Sequence, residues 1–152
     1  DDPAKLESDA ARELRERERA AGYEQLDTYL GYGRRVEADK RQILGFLIDL
    51  KQQGLSVVGY GAPAKGNTLL NYCGVRRDFI DYTCDLNPHK QGHFLPGSHI
   101  PIRSPEAILE DRPDVVLILP WNLKDEIVEQ LSFIREWGGR FAARTPELTL
   151  LS

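Results

Sequence analysis

The chain has 152 residues, 41% of them hydrophobic and 29% charged, with a formal net charge of −4. That length holds one compact domain plus an extension, and the composition is that of an ordinary globular protein. The acidic balance argues against a nucleic-acid partner, which needs clustered Lys and Arg, and no apolar run approaches the roughly 20 residues that span a bilayer.

The N-terminal stretch from Pro3 to about Tyr29 is dense in Ala, Glu, Arg and Leu, which favour helix. Within it, Arg12 to Arg19 interleaves opposite charges, as on a solvated helix. Gly31-Tyr32-Gly33 predicts a break. A second helix is expected over 34–53, where Val36, Ile43, Leu44, Leu47, Ile48 and Leu50 recur at helical spacing and Gly54 suits the end. These features divide the chain into a charged helical extension, 1–33, and a domain, 34–152.

From Leu55 strand and helix signals alternate. Leu55–Tyr60 reads as a strand, about Ala64–Cys73 as a helix, and Phe79–Cys84 as a second strand ending at Asp85. A loop rich in Asn, Pro, Gly and His runs to Ser98. A short strand, Ile100–Ile102, and a short helix opened by Ser104-Pro105-Glu106 come next. Asp114–Leu119 is apolar without interruption, as suits a central strand buried on both faces. Asn122–Trp137 predicts one amphipathic helix, Gly138-Gly139 stops it, and Arg140–Ala143 reads as a last parallel strand. Alternation of this kind predicts an α/β fold: a Rossmann-like, doubly wound parallel sheet of about five strands behind an N-terminal helical extension.

The turn between the first strand and its helix reads Gly59-Tyr60-Gly61-Ala62-Pro63-Ala64-Lys65-Gly66. Gly59 and Gly61 permit a tight turn and close approach of a ligand to the backbone. The helix that follows offers unpaired N–H groups and its positive dipole end to a phosphate. Lys65 adds a mobile charge there, and Asn67 and Thr68 add donors. The spacing departs from G-x-G-x-x-G, the third glycine being Gly66; a plain strand-to-helix turn is the competing reading.

Asp85 ends the second strand about 20 residues beyond that turn, where dinucleotide folds place an acid on the ribose hydroxyls. It could equally serve the turn with Asn87-Pro88. The loop His89–Gly97 is long and carries Lys90, Gln91, His89 and His93, suited to polar contacts with a nucleotide. No third ligand accompanies the two histidines, so no metal site is predicted. After the central strand, Asn122 with Asp125 and Glu126 resembles a helix N-cap, and Trp121 could pack over the edge or flank a base or sugar.

No nucleophile stands beside a histidine, and neither H-E-x-x-H nor G-x-S-x-G occurs, so no catalytic residue is predicted. Cys73 and Cys84 lack C-x-x-C spacing and read as reduced thiols of a cytoplasmic protein. No signal-peptide pattern opens the chain. A start at Asp1 and the absence of methionine predict a fragment of a longer product.

Gly59 to Tyr72, Asp85 to Gly97 and Leu117 to Asn122 together resemble the C-terminal domain of the S-adenosylmethionine-dependent sugar C-methyltransferase family, which includes the C-3 methyltransferases of deoxysugar biosynthesis. The resemblance covers most of the chain from about Arg34, with three separated motifs in the right order. In that family a zinc-binding N-terminal part and a central methyl-donor domain precede a domain like this one. The resemblance implies a domain that helps bind a nucleotide-linked keto-sugar, typically dTDP-linked. Carried over, Gly61, Ala62, Pro63, Ala64, Lys65, Gly66 and Asn67 face the diphosphate. Asp85, Asn87, Lys90, Gln91, Trp121 and Asn122 line the nucleoside or sugar. The zinc cysteines and the donor domain have no counterpart here. S-adenosylmethionine is therefore implied for the complete enzyme and not for this domain, and the chain alone is expected to be inactive. The implied partners are the nucleotide sugar and the methyl-donor domain, in the parent chain or in another protein, with a homo-oligomer open.

Two other readings stay open. One is a self-contained nucleotide-binding module for NAD, CoA or a sugar nucleotide. The other is a scaffold that pairs through its charged N-terminal helix.

Overall fold

A computed structural model describes residues 7–144 and 148–151. The chain divides into two compact units, one ending at Ala38 and the other beginning at Asp39. Residues 3–6 of the expected first helix lie outside the described residues. No helix among the described residues is long and apolar enough to cross a membrane.

In the first unit, α1 spans Asp9–Ala20. The Ser8 hydroxyl accepts from the Ala11 amide at 3.2 Å, satisfying one of the helix's unpaired donors. Asp9 in the first turn and Arg17 and Arg19 in the last complement the helix dipole. None of its residues is buried. The helix ends sooner than its composition predicts, because Gly22 at φ +76° takes the left-handed turn. Thr28 Oγ1 then donates to the Gly22 carbonyl at 2.8 Å. From there α2 spans Leu26–Gln52, passing through Gly31 and Gly33, so the expected break is absent. Each glycine costs a helix only about 1 kcal/mol, which a run of 27 residues absorbs.

The second unit is built on a six-stranded sheet in the order β3-β2-β1-β4-β5-β6. The strands are β1 (Val57–Tyr60), β2 (Thr83–Cys84), β3 (Ile102–Arg103), β4 (Val115–Ile118), β5 (Arg140–Arg144) and β6 (Leu148–Leu151). The first five run parallel in the 3-2-1-4-5 order of doubly wound nucleotide folds. The sixth runs antiparallel to β5 along one edge and was not foreseen. The remaining helices are α3 (Ala64–Cys73), α4 (Glu106–Asp111) and α5 (Lys124–Gln130).

Alternation along the strands sends neighbours to opposite faces. Val57, Val115, Leu117 and Ala142 pack with Ile43, Leu47 and Leu50 of α2 and Leu70 of α3. Val58, Val116, Ile118 and Phe141 pack with Ile108 of α4, Ile127 of α5, Leu131 and Ile134. Most of these side chains are wholly buried, and each Val, Leu, Ile or Phe among them contributes about 1.5–3 kcal/mol by leaving water.

Three local expectations need correction. Phe79 and Ile80 belong to a turn, both amides donating to the Arg76 carbonyl, so only Thr83–Cys84 pairs as a strand. Pairing in the third strand begins at Ile102, not Ile100. Asn122–Trp137 is not one helix. A 3-10 turn at Trp121–Leu123 precedes α5, and a second covers Ser132–Trp137, the chain loosening at Leu131 with φ −101°. That bend buries Leu131 and Ile134 on the same face as Ile127.

Candidate functional site

Beyond β1 the chain turns through Gly61 at φ +84°, a conformation that favours glycine. A Cβ there would stand 2.6 Å from Pro120 Cδ, so the loops after β1 and β4 meet at van der Waals distance. Gly66 plays the matching role inside α3, since its Cβ would fall 2.9 Å from Leu119 Cβ. Gly59, buried in β1, faces Thr83 in the same way. The three glycines thus bring helix and loops hard against the sheet.

Drawing α3 in leaves its N-terminus at the carboxyl edge. No side chain caps it, Pro63 occupying the cap position. The first helical hydrogen bond runs from the Asn67 amide to the Pro63 carbonyl at 3.0 Å. The amides of Ala64, Lys65 and Gly66 precede it and remain donors in search of an acceptor. A helix start of this kind attracts an anion.

Asp85, 9% exposed, is the knot that ties the neighbouring loops together. One carboxylate oxygen accepts from the Ala62 amide at 2.7 Å and from Lys90 Nζ at 3.0 Å. The other accepts from the Asn87 amide at 2.9 Å. Burial pushes this carboxyl up, but those donors from Asn87, Lys90 and Ala62 outweigh it and hold it below the usual carboxylate range. Lys90 also donates to the Ala62 carbonyl, and Gln91 Nε2 to the Asp85 carbonyl. Of the two roles open to Asp85, the turn-and-loop role is therefore filled by visible partners.

Lys65 reaches the opposite way. Its ammonium donates to Asn122 Oδ1 and lies 4.6 Å from the Trp121 ring centroid. A cation over an indole face is attracted by the ring quadrupole. Asn122 is consequently not the N-cap its spacing suggests: Leu123 holds that position before α5, with no side-chain cap bond. Lys65, Trp121 and Asn122 bridge the loops after β1 and β4.

The rim continues along 87–97. Asn71 of α3 donates to the Pro96 carbonyl at 2.9 Å, and Arg76 to the Gly97 carbonyl at 2.7 Å. Asn67 accepts from Asn71 Nδ2. Two clefts open at this edge. One, of about 250 Å³, is lined by Tyr60, Gly61, Asp85, Leu86, Pro120, Leu123, Glu126, Ile127 and Gln130. The other, of about 450 Å³, is lined by Ala64, Asn67, His89, His93, Phe94 and Pro96. Ala62, Pro63 and Lys90 line both and form the ridge between them.

Every residue singled out in the sequence lies at this edge or in the strand and helix that make it. The smaller cleft also takes in residues to which the sequence assigned no binding role: Tyr60 and Leu86 stand inside the motifs, Glu126 reads as part of a helix N-cap, and Leu123 and Gln130 read as helix positions. Among the described residues no three His, Cys, Asp or Glu side chains group as a metal site would require. Burial pushes the Cys84 thiol up to about 12, so it offers no thiolate. What the arrangement offers is spare amides, a lysine and two clefts.

The family described as "C-methyltransferase C-terminal domain" matches residues 1–146. The C-methyltransferase NovU of Streptomyces niveus is 38% identical over 143 residues, covering 94% of this chain and 34% of that protein. The chain thus spans about a third of the length of that relative. The crystal structure of UDP-D-quinovosamine 4-dehydrogenase from Vibrio fischeri superposes with a TM-score of 0.45 at 21% identity, covering 64% of this chain and 93% of that one.

Proposed function

The chain belongs to the family of C-methyltransferase C-terminal domains, and on that premise we propose that it anchors the acceptor substrate of an S-adenosylmethionine-dependent C-methyltransferase. The acceptor is a nucleotide-linked, dTDP-type keto-deoxysugar. Its diphosphate lies at the start of α3, with Lys65 supplying a mobile positive charge. The remaining candidate residues, Asp85, Asn87, Lys90, Gln91, Trp121 and Asn122, shape the surrounding edge. The observation that carries this reading is the uncapped N-terminus of α3 opening between two clefts.

S-adenosylmethionine, when bound, supplies an electrophilic methyl group. In this reading it sits in the part of the protein beyond this chain. At this edge the acid that would take a donor's ribose, Asp85, already holds three donors. With S-adenosylmethionine bound, the chemistry would be loss of a proton beside the keto group to a base and transfer of the methyl group to that carbon, the methyl donor leaving as its thioether. The residues here bind and orient, and the base comes from elsewhere. Holding the nucleotide end fixes where the sugar carbon projects, and binding energy remote from the reacting atoms contributes to catalysis in that way.

Calorimetry with dTDP, a dTDP-sugar, NAD(P)H, CoA and S-adenosylmethionine tests the proposal. Binding of the dTDP compounds alone is expected; a preference for NAD or CoA overturns it in favour of a self-contained nucleotide module. One observation favours a second, compatible role for the first unit. Tyr23, Leu26, Tyr29, Leu30 and Tyr32 are all more than half exposed, an apolar series of the kind that marks an association surface. A chain starting at Arg34 is expected to lose any self-association seen by light scattering.

A further inference from the structure

The proposed reading leaves open which cleft takes which end of the ligand. The smaller cleft touches the loop after β1 at Gly61, the loop after β2 at Leu86 and the loop after β4 at Leu123. Those strands are neighbours in the sheet, with β1 flanked by β2 and β4. The order therefore reverses at β1, and open α/β sheets bind ligands outside such a switch point.

Its walls are apolar and partly uncovered: Leu86 is 62% and Leu123 46% exposed, with Ile127 behind them. Glu126 and Gln130, four residues apart on α5, share one helix face and line the same cleft. Tyr60 forms part of the wall. It is 3% exposed, and its hydroxyl faces the Gln130 side chain without closing a hydrogen bond of ordinary geometry. A buried polar atom without a partner is uncommon in a finished site. Charge distinguishes the two clefts. The smaller contains the carboxylates of Asp85 and Glu126, and its one ammonium, Lys90, is already bonded to Asp85 and Ala62. A diphosphate gains nothing there. The amides at the start of α3 border the other side of the ridge, where Ala64 and Asn67 line the larger cleft.

The geometry points to the smaller cleft as the nucleoside subsite: the base lies between Leu86 and Leu123, and Glu126 and Gln130 meet its hydrogen-bonding edge. The diphosphate crosses the Ala62–Pro63 ridge, and the sugar end enters the larger cleft. A flat base suits a slot between two exposed leucines, while a carboxylate and a carboxamide supply acceptors and a donor to its edge. This assignment rests on the proposed function, since it presumes a nucleotide ligand.

The test uses the full chain with TMP, UMP, AMP, GMP and inorganic pyrophosphate, followed by calorimetry and by NMR of leucine methyl groups. Wild type binds at least one nucleotide and pyrophosphate, and the nucleotide shifts the Leu86 and Leu123 methyls. Gln130→Ala, on the helix surface, weakens that nucleotide about tenfold and leaves pyrophosphate unchanged. Tyr60→Phe removes only the hydroxyl and weakens the nucleotide by about twofold or more. Unaltered nucleotide affinity in both variants overturns the assignment, as do shifts centred on Leu95 in the larger cleft. Failure of wild type to bind either nucleotide or pyrophosphate removes the proposed function together with the subsite. Pyrophosphate binding without nucleotide binding removes the subsite alone.

Discussion

Each edge of the central sheet is pinned by an aspartate, and the surroundings of the two make them different. At the amino edge Asp114 Oδ2 accepts from the Ser56 amide at 2.8 Å and the Ser56 hydroxyl at 2.7 Å, while the Asp114 amide reaches back to Ser56 Oγ. The Asp114 carbonyl takes the Arg140 amide. β1, β4 and β5 start in register through this cluster, and its donors and acceptors are matched. At the carboxyl edge Asp85 is equally engaged, yet beside it α3 begins with no side-chain cap. At the amino edge the Ser56–Asp114 cluster matches donor to acceptor, beside a cleft of about 540 Å³ lined by Ser56, Asp81, Arg103 and Asp111; at the carboxyl edge the start of α3 keeps donors in reserve. Under the proposed function, that surplus is what an anionic ligand would use.

The contrast can be broken most severely at Gly61. Gly61→Val forces a branched side chain into φ +84° and against Pro120, and is expected to cost about 3 kcal/mol or more in chemical denaturation. Asp85→Asn comes next. It turns one of the two acceptor oxygens into an NH2 donor, so part of the set formed by the Ala62 amide, the Asn87 amide and Lys90 loses its acceptor, and it should cost about 1–3 kcal/mol, with faster amide exchange at Ala62 or Asn87. The sign with pH follows from the lowered carboxyl. Its stabilisation is complete above the unfolded value of about 3.9 and is lost as pH falls through the lower folded value. The wild type is therefore expected to lose melting temperature below about pH 4 more steeply than Asp85→Asn.

Lys65→Ala sharpens the comparison. The ammonium is exposed and holds only Asn122 and Trp121, so the melting temperature should hold. Affinity for a diphosphate ligand should fall about tenfold, or about 1.4 kcal/mol. Equal losses in both would make Lys65 a structural residue. The smallest effect is expected at the closed edge. Ser56→Ala removes the hydroxyl partner of Asp114 and should cost about 1 kcal/mol, with no change in ligand affinity. The Asp114 carboxyl, held below its usual range by the Ser56 amide and hydroxyl against a slight effect of burial, should then titrate higher.

Much of the sheet could be read from the sequence because its central strands are unambiguous. Val115 to Ile118 is apolar throughout, and Val57-Val58 leads straight into a glycine turn. The limits of α3 were also legible, between Pro63 and Gly74. Where several glycines compete, local sequence does not choose among them. Gly22 breaks the N-terminal helices while Gly31 and Gly33 do not, a choice set by Thr28 and Tyr29 reaching back to the carbonyls of Gly22 and Tyr23. The antiparallel β6 was invisible because four residues, Leu-Thr-Leu-Leu, carry almost no periodic signal. At the candidate site, the sequence pointed to the glycine turn, Lys65 and Asp85, but not to their partners in the fold. That Lys65 meets Asn122 and Trp121, and Asp85 meets Lys90, depends on crossovers bringing together loops far apart in sequence. The place of Glu126 and Gln130 in the smaller cleft was hidden for the same reason, since only the tertiary fold turns that face of α5 toward Tyr60.

The attachment of 96–97 to α3 and the turn after it has a kinetic consequence. Asn71 and Arg76 fasten the Pro96 and Gly97 carbonyls, and Gly97 leaves so little room that a Cβ there would overlap Asn71. An arriving molecule meets a border that is already set and need not be ordered on contact. Capture should therefore be governed by diffusion and orientation, with differences among ligands appearing in how long each one stays.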